Sequence, residues 1–292
     1  MRISLSLLVL CALLTSGCTS SPLPAGQVVI VSLDGLRADQ VERGSVPAFD
    51  ALAAEGIFVP RMRTVLPPSP SPGWKTLLSG AGPEQHGVTS EAWDADRYIL
   101  ASTTGSLFPT LPAVVRTQFP AARTALYHEW DGLVRLAEED AWTVRESGEP
   151  AGLVDAAAEA VRSGANVLTV LQLDTAGRPE AAERLLSRFM AALGDIPNET
   201  TLIVTAAYAG TGHDTSDPSS ADIEVPWLLV GAAGTPGMKM DRVPNSWDTA
   251  VTAAAILGAE LPPVWRGDVL PEALAIPPAA LGTTAEHVVI IG

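Results

Sequence analysis

Three polar stations stand where long apolar runs end. Asp34 follows Gln27 to Leu33, Asp174 follows Asn166 to Leu173, and the stretch Ala207 to His213 follows Thr200 to Ala206. Side chains at the carboxyl ends of buried parallel strands are where open α/β sheets bind ligands. Asp214 and Asp217 lie just beyond and have the chemistry to bind a cation, although a solvated acidic loop is the simpler reading. A second kind of chemistry sits at the other end of the chain. Leu14-Thr15-Ser16-Gly17-Cys18 places small residues before a cysteine, as in a bacterial lipobox, whose cysteine is acylated.

The elements that must hold these stations are legible in the periodicity. Gln27 to Leu33, Asn166 to Leu173, Thr200 to Ala206 and Val225 to Gly231 are continuous apolar runs, the pattern of strands buried on both faces. Ile57 to Leu66 and Arg123 to His128 are expected as further strands. Helices are expected over Pro47 to Glu55, Pro72 to Ser79, Ala151 to Arg162, Pro179 to Leu193 and Trp247 to Leu257. Ser71 suits the N-cap of the second and Pro72 its first turn. The alternation predicts an α/β fold with a mainly parallel central sheet and helices on both faces.

The 292 residues carry 18 basic against 33 acidic side chains, a formal net charge of −15. With 47% apolar and 17% charged residues this is a foldable composition, not a disordered one. No Lys/Arg cluster is present, which argues against nucleic acid as a partner. Arg2 followed by the apolar stretch Ile3 to Leu14 reads as a secretory signal, too short to span a bilayer. The expected organisation is a signal peptide at 1–17, a lipidated tether at 18–26 and one domain at 27–292. The membrane partner is then a lipid at Cys18, and the location an exported, lipid-anchored one at a bacterial cell envelope. Both cysteines, Cys11 and Cys18, fall in the leader, so the domain has no disulfide and no thiolate for zinc.

Five stretches in order resemble the alkaline phosphatase superfamily, most of all its type I phosphodiesterase/nucleotide pyrophosphatase group, with sulfatases and phosphonoacetate hydrolases as relatives. They are VVIVSLDGLRADQ (28–40) with VPAFDALAAEG (46–56), RTVLPPSPSPGWKTLLSGAGPEQHGV (63–88), VLQLDTAGR (170–178), TLIVTAAYAGTGHDTSD (201–217), and EVPWLLVG (224–231) with the segment 246–270. The resemblance implies an alkaline-phosphatase-like three-layer sandwich. It also implies a hydrolase with two zinc ions about 4 Å apart, clamping the attacking and leaving oxygens of an in-line displacement. Asp and His ligands would hold the metals, and a hydroxyl or modified cysteine at a helix N-terminus would attack.

Matched residue by residue, the chain departs from that pattern at the chemistry. The nucleophile position falls on Pro70, which has no hydroxyl; Ser69 and Ser71 flank it as possible substitutes. Of six ligand positions, Asp34, Asp174 and His213 remain, while the other three are Arg178, Ala207 and Tyr208. Guanidinium cannot ligate a metal and neutral tyrosine is a poor zinc ligand. Arg178, four residues from Asp174, is expected either to fill the vacated place by a salt bridge or to hold a phosphate or sulfate ester. His86 matches a structural position, and Trp74, on the helix that starts at the old nucleophile, is placed to line a pocket. The resemblance therefore predicts a pseudohydrolase without a resident metal. The alternative is an active phosphoric or sulfuric ester hydrolase with a rebuilt zinc or manganese site.

Overall fold

The computed structural model describes residues 23–24, 26–44, 46–93, 107–210, 219–238, 240 and 242–271. The leader with Cys18, together with His213, Asp214 and Asp217, lies outside them. Strand β1 (Gln27–Asp34) is buried at all eight positions, as its unbroken apolar run requires. It lies centrally in a seven-stranded sheet with β2 (Ile57–Arg63), β3 (Thr124–His128), β4 (Val144–Ser147), β5 (Leu168–Asp174), β6 (Thr200–Thr205) and β7 (Glu224–Gly231). The order is β2-β7-β6-β1-β5-β3-β4. β1 pairs in parallel with β5 and β6, as β3 does with β5 and β4. β7 runs antiparallel to both its neighbours.

Proline opens the main helices, where its fixed φ costs nothing and its missing N–H is not needed. α1 (Ala38–Glu42) and α2 (Pro47–Glu55) follow β1, and α3 (Pro70–Ser79) and α4 (Pro83–His86) follow β2. α5 (Leu111–Gln118) precedes β3. α6 (Pro150–Arg162) and α7 (Pro179–Leu193) flank β5, and α8 (Trp247–Ile256) follows β7. α2, α6 and α7 pack together on one face, while α3, α5 and α8 pack on the other. The three layers close over buried side chains such as Phe49, Phe189 and Leu186 on the first face and Trp74, Leu77 and Val251 on the second.

The expected three-layer α/β fold is thus present, with corrections in detail. α3 begins at Pro70, not Pro72. Ser69, extended at φ −136° and ψ 161°, takes the N-cap place although its hydroxyl makes no capping bond. Pro70 is itself preorganised for the first helical position, so the helix gains two residues and Ser71 falls inside its first turn. β2 ends at Arg63 rather than Leu66, ahead of two prolines. α1, α4, α5 and β4 are too short to show a period and were not foreseen. Among the described residues, no helix is long and apolar enough to cross a membrane.

Candidate functional site

The register of the central strands sets Asp34 beside Asp174. A bridge from Gly35 to Ala209 continues the β1–β6 ladder past its end. The three stations expected from sequence do meet at one edge of the sheet, as far as Gly210. Gly35 makes the meeting possible: its φ is +87°, and a Cβ there would lie 2.5 Å from the Gly177 N and 2.6 Å from the Gly210 O. Only glycine admits that conformation and that approach.

Asp34 is fully buried and its carboxylate is saturated. Oδ1 accepts from the Ser32 hydroxyl at 2.5 Å and the Ala207 N–H at 3.2 Å. Oδ2 accepts from the Trp74 indole N–H at 2.7 Å and the Gln172 amide at 3.2 Å. Trp74 lies one helical turn beyond Pro70, so the helix that would carry a nucleophile instead delivers an indole onto the first expected ligand. Burial pushes the Asp34 carboxyl up to about 6, even though all four donors pull the other way.

Asp174 has the opposite surroundings. It is exposed, and its Oδ1 accepts the Ala176 N–H at 2.7 Å, the one bond of this carboxylate among the described residues. Its own N–H donates to Glu129 Oε2 at 2.6 Å. Glu129 stands just past the end of β3 and is half-buried, and burial raises its carboxyl above the usual range. Gln172 ties these parts together. Its Oε1 accepts the N–H groups of Glu129 and Trp130 at 2.8 and 2.9 Å while its amide nitrogen serves Asp34. The sequence reading passed over Ser32, Gln172 and Glu129. Polar residues inside or directly after an apolar strand were the available signal.

Arg178 precedes α7 and is exposed. Among the described residues its Nε reaches the Thr175 carbonyl alone, at 3.5 Å. The expected salt bridge to Asp174 is not made, and among the described residues no carboxylate lies within ion-pair distance of this guanidinium. The intervening loop turns back on itself, with Thr175 N and Oγ1 both bonded to the Asp34 carbonyl, and so carries Arg178 away from the carboxylate.

At the N-terminus of α3, Ser69 and Ser71 are both buried. The Ser71 N–H and hydroxyl both donate to Glu91, each at 2.8 Å, so a carboxylate of this chain already occupies the helix end. Gly73 packs on Ala207, where the resemblance expects a metal ligand: a Cβ there would stand 2.4 Å from the Ala207 oxygen. The Thr64 hydroxyl holds that same oxygen at 2.8 Å. Tyr208 is buried, and burial together with the charges of Asp34, Asp174, Glu91 and Glu129 pushes its phenol well above the usual range. Lower on α3, Lys75 is buried and donates to the carbonyls of Phe108 and Leu136 at 2.8 Å each, burial lowering it to about 8. His86 bonds Thr76 and accepts the Val88 N–H. Its place is structural, as expected, and burial lowers it to about 3.

This donor set does not fit a pair of zinc ions. Both Asp34 oxygens are spent on hydrogen bonds, Ala207 offers no side-chain donor, Arg178 is a fixed cation, and the Tyr208 phenol stays protonated. Among the described residues, no three of His, Cys, Asp and Glu gather so as to hold a metal ion.

Residues 28–132 match the model of the type I phosphodiesterase / nucleotide pyrophosphatase family. The fold matches murine ectonucleotide pyrophosphatase / phosphodiesterase 5, in an inactive form in complex with AMP. The TM-score is 0.65 at 14% identity, over 83% of this chain and 97% of that one. The fold is alkaline-phosphatase-like. A phosphonate monoester hydrolase of Silicibacter pomeroyi is similar with a TM-score of 0.66 at 14% identity, over 84% of this chain and 76% of that one. An uncharacterised pyrophosphatase/phosphodiesterase of Schizosaccharomyces pombe is 38% identical over 63 residues. That stretch is 22% of this chain and 13% of the yeast protein. The family match spans Asp34, Pro70, Trp74, Glu91 and Glu129. Asp174, Arg178, Ala207 and Tyr208 lie beyond it.

Proposed function

We propose that this chain is a pseudohydrolase of its superfamily: a protein that keeps the fold and the cleft, binds a ligand or partner there, and does not turn it over. The observation that carries the reading is Asp34, whose two oxygens are taken by four donors of the protein, one of them an indole from the nucleophile's own helix. A metal at that carboxylate would have to displace Trp74 from a fully buried position. Pro70 in place of a nucleophile supports the same reading, since it has nothing to attack with.

The test is a calorimetric titration of the full chain with zinc and then manganese, together with a hydrolysis assay on bis(p-nitrophenyl) phosphate. Neither ion is expected to bind in the micromolar range, and no phosphodiester cleavage is expected. Tight binding of two ions with hydrolysis would overturn the proposal and restore an active, metal-dependent ester hydrolase.

Two finer parts belong to the proposal. Arg178, exposed and without an ion pair among the described residues, is offered as a rim contact for a phosphate or sulfate ester. The carboxylates of Asp174 and Glu129 oppose an anion there, so affinity for p-nitrophenyl phosphate should be modest and should fall in Arg178→Ala. An unchanged affinity removes this role. Residues 1–18 also support export and lipid attachment at Cys18 at a bacterial envelope. Metabolic labelling with an alkyne-bearing fatty acid should mark the protein and fail with Cys18→Ser.

A further inference from the structure

The chain enters the domain at the end of the sheet opposite the cleft. β1 begins at Gln27 and ends at Asp34, so this eight-residue strand separates the two by about 23 Å. Gln27 is clamped where it enters. Its N–H donates to the Glu199 oxygen at 2.9 Å, and its amide nitrogen donates to the Val161 oxygen at 2.9 Å and the Thr200 hydroxyl at 2.8 Å. Gly26 is pressed onto the same Glu199 oxygen, which a Cβ there would approach to 2.6 Å. The last turn of α6 and the start of β6 thus hold the strand from its first residue. A pull on the preceding segment acts on this end of the sheet.

Cys18 stands nine residues before Gln27. Even fully extended, that length of chain spans about 30 Å. To lower the cleft onto a bilayer that holds Cys18, Gln27 would have to rise above the surface by at least the length of β1. The loops that carry Gly35, Gly177 and Gly210 beyond the strand add to that height. Such an arrangement uses nearly the whole extended length and gives up the conformational freedom of every residue in it. With the domain the other way up, the same segment is unstretched. Charge acts in the same direction. Asp174 and Glu91 are exposed and Glu129 is half-buried at the cleft end, and anionic headgroups repel them. Glu55 and Asp195, where α2 and α7 end, are exposed on the other side, so nearness to lipid there comes from the covalent tie and not from attraction.

We propose that the anchored domain holds its cleft away from the bilayer, an inference that rests on the lipid attachment proposed above. The membrane-facing surface is the end of the sheet where β1 and β6 begin and β7 ends. The cleft therefore draws its ligand from the aqueous phase. The phosphate or sulfate ester offered to Arg178 is a water-borne one, not the headgroup of a lipid in the anchoring membrane. Neither a metal nor turnover is needed, so the orientation stands whether or not the inherited cleft is catalytic.

The test uses the full chain, matured in bacterial membranes and reconstituted with its anchor into phosphatidylcholine vesicles, whose zwitterionic surface leaves the tether to act alone. Both native cysteines, Cys11 and Cys18, precede the domain, so an introduced cysteine is its single thiol. Asn198→Cys marks the tether end, just ahead of β6, and Glu180→Cys marks the cleft end, in the first turn of α7. Both positions are exposed, so the substitutions leave the core alone. Each variant carries the same fluorophore, and the vesicles carry a nitroxide on the lipid headgroup, which quenches at short range. Quenching is expected to be several-fold stronger in Asn198→Cys than in Glu180→Cys. A long Gly/Ser insert between Ser20 and Ser21 should shrink that difference, since a flexible coil of that length no longer restrains the domain. Equal quenching in the two variants, or stronger quenching in Glu180→Cys, would overturn the proposal. So would a difference that the insert leaves unchanged, because the tether would not be its cause. Flotation with the vesicles reads the anchor separately: a chain that fails to float loses the lipid attachment itself, and the orientation with it, whereas a chain that floats and is quenched equally at both ends keeps its anchor and loses the orientation alone.

Discussion

Asp34 and Asp174 are register partners at the ends of neighbouring strands, yet one is sealed and the other open. Asp34 has donors on both oxygens and no contact with water. Asp174 keeps one backbone donor and faces solvent. Strand position put both carboxylates at the same edge of the sheet, but what each can do is set by what packs on it. Over β1 lies α3, which supplies the indole. Past β5 comes a short loop, and among the described residues no large side chain bonds to the Asp174 carboxylate.

If the Asp34 half is closed by packing, removing the closing side chain should be the costliest change in the cleft. Trp74→Ala is expected to destabilise the fold by about 3–5 kcal/mol, since it leaves a cavity and unbinds a buried carboxylate. Urea unfolding would measure it, and a loss under about 1 kcal/mol would mean the indole is not what holds this half together.

The contrast should also appear as a pH dependence. The folded Asp34 carboxyl sits near 6, against 3.8 for the free group. Between those values the native state holds more protons than the unfolded state, so stability falls as pH rises through that window and is flat above it. The fall from this group is about 3 kcal/mol. Buried His86, lowered to about 3, contributes a rise over the same range, so the Asp34 contribution is read as the difference between the chain and Asp34→Asn in denaturant unfolding from pH 4 to 7. A difference that stays constant across that range would sink the assignment.

A smaller effect is expected from Ser32, which donates to Asp34 and accepts the Ala207 N–H at 3.0 Å. Ser32→Ala should cost about 1–3 kcal/mol. It should also raise the Asp34 titration, because the lost bond favours the charged form. On the open side, Asp174→Ala should change stability by less than about 0.5 kcal/mol, as surface substitutions do. A larger loss would show that Asp174 is held more firmly than its exposure indicates.

Much of this was legible in the chain. Unbroken apolar runs ending in Asp34 and Asp174 specify buried strands, and only one side of a parallel sheet collects their carboxyl ends. That Pro70, Arg178, Ala207 and Tyr208 stand where the resemblance expects a nucleophile and ligands is a matter of residue type and needs no coordinates. Ser71 was read as a cap because a serine before a proline usually is one. The structure shifts the helix start by two residues and turns Ser71 to Glu91, twenty residues on. Glu129 and Gln172 were within reach, since each is a polar residue at the end of, or inside, an apolar strand.

The sequence by itself therefore determined the layer architecture, the edge where polar groups collect, and which residue types stand at Pro70, Arg178, Ala207 and Tyr208. Those follow from local periodicity and from the chemistry of single side chains. The tertiary structure alone decided that Trp74 seals Asp34, that Glu91 occupies the end of α3, that Arg178 stands apart from Asp174, and that Gln27 ties the start of β1 to α6 and β6. Each of those contacts joins residues from separate elements. Hydrogen bonds and ion pairs are settled by direction and distance after the chain has packed, and sequence spacing does not carry that information.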